Sequence, residues 1–108
     1  MQYQVKKAMT ANGYKATIEK EVNGKNVDVV LEKDKESIAV EIAVTDKHEI
    51  VNVRKDIFKA GFSKVVIIGK DKNVVLAVKK KLGAEFGTDI LSKVTCCLLS
   101  DFIDGDMS

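Results

Sequence analysis

The chain has 108 residues, 45% of them hydrophobic and 31% charged, with a formal net charge of +2, no proline and two cysteines. That is enough for one core and too little for a second module; it is too balanced to announce nucleic-acid binding by bulk charge, and it holds no apolar run of membrane-spanning length. With no signal-peptide pattern at its start, the expectation is one domain over residues 1–108, cytoplasmic and without a membrane partner.

Residues 3–12 read as a short helix ended by Gly13, whose missing Cβ suits a left-handed cap. A strand over residues 17–22 runs into Asn23-Gly24, a dipeptide that favours a two-residue hairpin turn. Next, Val27, Val29 and Leu31 alternate with Asp28, Val30 and Glu32, and after Lys33-Asp34-Lys35-Glu36 the set Ile38, Val40, Ile42 and Val44 alternates with Ala39, Glu41, Ala43 and Thr45. Both runs predict half-buried strands. Centring their turn on Asp34-Lys35 keeps the aliphatic sets on one face and sets Asp28 directly opposite Glu41. Like charges so placed are destabilising and call for a compensating cation or proton. Pairing Val22 with Lys25 brings Glu19 opposite Asp28, and a longer loop brings Glu21 there instead. The predicted row Glu19 (or Glu21), Asp28 and Glu41 offers hard oxygen ligands for Mg²⁺ or Mn²⁺. A solvated sheet face carrying Glu and Lys is the plain alternative for any one of these carboxylates taken singly.

Asp46-Lys47-His48-Glu49 has capping-box spacing and opens a helix predicted to reach Ala60, with Gly61 closing it and Ile50, Val53 and Ile57 as its core stripe. A nearly continuous aliphatic run over residues 64–69 predicts a buried strand reached by a parallel crossover. A helix over residues 71–82 and a strand over 94–99 follow, and Asp101-Phe102-Ile103 ends the packed part. Cys96 and Cys97 lie inside that last strand, where neighbours point to opposite faces, and read as small buried hydrophobes. No glycine-rich phosphate loop occurs. Lysines cluster at Lys6-Lys7, at Lys47, Lys55 and Lys59, and at Lys79-Lys80-Lys81. Each cluster reads equally as a solvated helix face. Because Arg54 is the lone arginine, any DNA contact is expected to be to backbone phosphates.

These stretches resemble the PD-(D/E)XK nuclease superfamily, with an acid on the second strand of a meander (Asp28) and the third strand's motif at Glu41-Ile42-Ala43-Val44-Thr45, followed by Ala60-Gly61-Phe62 before the next strand. The resemblance implies an α/β fold with a restriction-endonuclease-like mixed sheet, order αβββαβαβ, and helices on both faces. It implies a divalent-metal-dependent DNA phosphodiesterase, an endonuclease in which Asp28 and Glu41 hold Mg²⁺ or Mn²⁺ with help from Glu19. Ala43 departs from the family, which has lysine at this position. Some relatives supply that cation from the following helix, where Lys55, Arg54 and His48 are the candidates. Lys55 is therefore assigned the catalytic part, and Lys47, Asn52, Lys55 and Lys59 the contacts to DNA. Cutting two strands also implies a homodimer. Similar small domains accompany ATPases and helicases of mobile elements, so the alternative is a catalytically silent module that binds DNA or a protein partner within such a system.

Overall fold

Three successive runs rich in β-branched residues form an antiparallel meander of β1 (Lys15–Val22), β2 (Lys25–Lys33) and β3 (Glu36–Ala43). The structure, a computed structural model, describes residues 1–22, 24–45 and 47–104. Helix α1 (Gln2–Ala11) precedes the meander, and Gly13 follows it at φ 90° as the cap reading requires. After β3 come α2 (Glu49–Arg54), a π-helical segment (Lys55–Lys59), β4 (Lys64–Gly69), α3 (Lys72–Glu85), α4 (Thr88–Leu91), β5 (Val94–Leu98) and α5 (Leu99–Ile103). The spatial strand order is β1-β2-β3-β4-β5, with β4 parallel to both β3 and β5. The fold is α/β with a mixed five-stranded sheet, as the element pattern predicts. Helices α4 and α5 stand outside the predicted order because four or five residues are too few to display a helical period. Among the described residues no helix is long and apolar enough to cross a membrane.

The sheet is covered on both faces. On one, Val53, Phe62, Val75, Val78 and Leu82 pack over Val30, Ala39, Ala43, Val65 and Ile67. On the other, Val5, Met9 and Phe102 pack over Val29, Leu31, Ile38, Val40, Val66 and Ile68. Strand β4 sits between β3 and β5 and contributes to both cores, hence its unbroken aliphatic run. Each of the Val, Ile, Leu, Phe and Met side chains among them adds about 1.5–3 kcal/mol by leaving water. Gly69, opposite Ala43, lets α3 close down on the sheet: a Cβ there would lie 2.6 Å from Val75 Cγ2. Cys96 and Cys97 face opposite cores and neither is in a disulfide. Burial pushes the Cys96 thiol up to about 11, so it remains a neutral, inert packing group.

Two registers match expectation: Val22 pairs with Lys25, and Val29 pairs with Val40. One facial assignment does not. Val27 was expected to share a face with Val29 and Leu31, but it packs in the opposite core beside Val30, and Val22 of β1 goes with it while Ala16 and Ile18 stay behind. Both strands therefore change faces at the Glu19–Asp28 step, where Glu19 takes a left-handed φ of 56°. Beyond that step the hairpin curls over the α2 side. Lys20 reaches Glu32 at 3.1 Å although the register partner of Glu32 is Lys15, five residues away and about 17 Å along a flat strand. The turn residue Asn23 and the predicted cap Asp46 lie outside the described residues. Helix α2 begins only at Glu49, with His48 at its cap position and no side-chain capping bond.

Candidate functional site

The backbone ladder between β2 and β3 ends at Val29–Val40, and the next two residues bond through their side chains. The Asp28 amide donates to Glu41 Oε1 at 3.3 Å, and the Ile42 amide donates to Asp28 Oδ2 at 2.7 Å. The two carboxylates thus replace missing ladder bonds where the strands part. Sequence register alone placed this pair, and the structure brings it together. It does not set the two side by side on one open face. Asp28 is half-buried and borders an open cleft of about 400 Å³ lined by Met1, Gln2, Tyr3, Ile42 and Val44. Glu41 is only 3% exposed and turns toward the α2 side, where it meets Asp56 of the π-helical segment.

Sequence reasoning missed two acids here. Glu49 and Asp56 are buried at 5% and 1% exposure, on the stripe of α2 and the π-helical segment that also carries Val53. The signal was available: positions 49, 53 and 56 follow helical spacing around a predicted core residue. Four carboxylates, Asp28, Glu41, Glu49 and Asp56, are close enough to influence one another electrostatically. Burial pushes the Glu41 carboxyl up to about 10, reinforced by its hydrogen bond to Asp56 and the Asp56 charge, while the Asp28 amide acts against the shift. Burial raises Asp56 too, opposed by its bond with Glu41 and by the Lys55 ammonium. Asp56 Oδ2 is sealed from solvent with no N–H or hydroxyl donor. A protonated Glu41 is the group placed to donate to Asp56. Glu49 is raised by burial as well, restrained by the Asn52 amide, which donates to Glu49 Oε1 at 3.4 Å.

The remaining predicted residues are spread around this centre. Glu19 falls between the Ile18–Val29 and Lys20–Val27 pairs, in step with Asp28, but it is exposed at the left-handed kink. Glu21 is also exposed and borders a different cleft, beside Lys20 and Phe62. Among the described residues, no three of His, Cys, Asp and Glu are placed to hold a metal ion together. Lys55 is half-buried next to Asp56; Lys47 and Lys59 are exposed; Asn52 is turned to Glu49. Of the helix cations named for the missing lysine, Arg54 is engaged elsewhere, bridging Glu85 and lying 5.3 Å from the centre of the Phe86 ring. His48 is exposed and its charge is felt by Glu49. Ala43, at 1% exposure, is part of the α2-side core.

No family model and no curated protein matches this chain. Among solved structures it is similar to one titled "Crystal Structure of Protein of Unknown Function AF1548", with a TM-score of 0.59 and 18% sequence identity, over 88% of this chain and 54% of that one. The chain therefore spans about half the length of that protein, and the likeness is one of fold.

Proposed function

We propose that this chain is a PD-(D/E)XK nuclease-like domain in which Asp28 and Glu41 hold a divalent cation for phosphodiester hydrolysis on DNA. The observation that carries the reading is that, where β2 and β3 separate, the Glu41 carboxyl accepts from the Asp28 amide and the Asp28 carboxylate accepts from the Ile42 amide, which brings the two acids together. The donor set fits a hard cation, since the side-chain ligands on offer, Asp28 and Glu41, are all oxygen. Mg²⁺ needs only one or two carboxylates, with water and substrate phosphate completing its shell, so two first ligands suffice. The cation would supply Lewis-acid activation of the phosphate and neutralise charge there. Hydrolysis consumes one water and breaks one P–O ester bond, leaving a phosphomonoester and a hydroxyl.

The chain's own residues divide the remaining work. Glu41 sits on the interior strand β3, which fixes its position, and Asp28 faces the open cleft through which a phosphate backbone can approach. Lys55 would stand in for the missing motif lysine, and Lys47, Lys59 and Asn52 are the proposed contacts to DNA phosphates. A homodimer would supply the second centre needed for two strands, and an ATPase or helicase is the partner that the domain type suggests.

Ala43 favours a second reading. Its full burial leaves no ammonium on β3, and a Glu41 sealed against Asp56 has little reason to release its proton. On that reading the domain binds DNA or a partner protein without cleaving. Gel-resolved cleavage of single-stranded, duplex and branched DNA in Mg²⁺ and Mn²⁺ separates the two, together with thermal melts in each ion. The nuclease reading expects cleavage lost in Asp28→Ala and Glu41→Ala, and a metal-dependent rise in melting temperature lost in Asp28→Ala. Wild-type cleavage equal to that of Asp28→Ala, with no metal-induced shift, leaves the silent module standing.

A further inference from the structure

The two edges of the sheet are defended differently. Strand β1 carries Lys15, Glu19, Lys20 and Glu21 and is kinked by the left-handed Glu19, all devices that discourage another strand from adding. Strand β5, Val94-Thr95-Cys96-Cys97-Leu98, has no charge, no proline and no positive φ. A groove of about 230 Å³ is lined by Lys72, Leu76 and Lys79 of α3, by Cys96, Cys97 and Leu98 of β5, and by Asp101 of α5. Because α3 packs on one face of the sheet and α5 on the other, a groove lined by both sits astride the β5 edge. Leu76 is 65% exposed and lies between the two lysines on one stripe of α3, giving that wall an apolar centre flanked by positive charge.

We propose that β5 is a docking edge for an extended segment of a partner protein, in which acidic residues alternate with uncharged apolar ones, added as a sixth strand. Main-chain bonds to an edge strand supply affinity, and the period of two supplies selectivity. Acidic side chains fall on the α3 side, facing Lys72 and Lys79. Apolar ones fall on the α5 side, where Asp101 would repel further carboxylates. Charge also selects this occupant over a second copy of the chain. Antiparallel pairing of two β5 edges about a two-fold axis normal to the sheet would bring the α3 walls of both copies together, lysine against lysine.

The test uses a fluorescein-labelled ten-residue peptide of alternating glutamate and valine, a lysine–valine counterpart, and a glutamate–valine peptide with prolines in place of two valines. Expected are saturable anisotropy with the first peptide alone and slowed amide exchange over residues 94–98. Lys72→Glu combined with Lys79→Glu should weaken binding by about tenfold while leaving the circular dichroism spectrum unchanged. The single Lys79→Glu chain, expected to show a smaller loss, serves if the double variant is not folded. Asp28→Ala should bind the peptide as wild type does, since nothing here depends on the carboxylate centre. Equal binding of the lysine or proline peptide, or protection elsewhere in the chain, overturns the proposal. So does a dimer in sedimentation whose β5 amides are already protected without peptide, because a second copy then holds the edge.

Discussion

The two ends of the β2–β3 hairpin are built from the same alternating pattern and stabilised by different physics. At the turn end the ladder is closed backbone to backbone through Lys33–Glu36, Leu31 and Ile38 pair in a dry core, and Asp34 takes the left-handed φ of 55° that a short polar side chain tolerates. At the other end the ladder opens, and carboxylates occupy the positions of backbone acceptors. Apolar burial holds the first end without regard to pH. The second end carries buried carboxyl groups whose titration is shifted upward, so its contribution changes with pH. A protein that stabilised every pair by burial alone would have no reason to place Asp28, Glu41 and Asp56 together.

The largest expected effect lies at the closed end. Leu31→Ala or Ile38→Ala removes a side chain at most 1% exposed and should cost about 2–5 kcal/mol in urea denaturation, equally at pH 5 and pH 8. A loss that varied strongly with pH would mean that the two ends are not independent.

The open end should respond to pH in a definite direction. Glu41 is raised from an ordinary carboxylate value to about 10, so between those values the folded state binds a proton that the unfolded chain has released. Its contribution is fully present below the unfolded value and is lost as pH rises toward the folded one. Stability should therefore fall with rising pH by as much as roughly 1.4 kcal/mol per pH unit across neutrality. Asp56 and Glu49, raised by the same burial, act in the same sense. Glu41→Gln keeps the shape and a donor for Asp56, and urea titrations from pH 5 to 9 should show its slope flattened relative to wild type. An unchanged slope would place the proton elsewhere.

The smallest effect belongs to the ion pair that links the curled part of β1 to β2. Lys20 and Glu32 are 38% and 37% exposed, and Lys20→Ala should cost only about 0.2–1 kcal/mol, less in high salt. A double-mutant cycle with Glu32→Ala would measure the pair directly, and a coupling well above that range would make it a clamp on the hairpin.

Part of this contrast is legible in the residues alone. The side-chain period of two, with aliphatic residues at Val29, Leu31, Ile38 and Val40, fixes which residues share a face, and a turn centred on Asp34-Lys35 then selects the register that places Asp28 across from Glu41. The unbroken apolar stretch of β4 likewise announces burial on both faces. The kink at Glu19 was not legible, since glutamate has no preference for a left-handed φ and tolerates one here only because the hairpin wraps the core. Nor was the switch from α to π winding at Lys55, in the segment that carries Asp56.

By itself, then, the sequence determined the strands, the pairing within the meander and the carboxylate pair, because these follow from periodicities and turn positions in neighbouring segments. Only the tertiary structure decided which acids are buried together, which face Val27 occupies, that Ala43 lies in the core, and that β5 is left as an uncharged edge. Those outcomes turn on how deeply a helix seats on the sheet and on how far a hairpin twists. They are set by packing among residues far apart in the chain, for which local pattern carries no record.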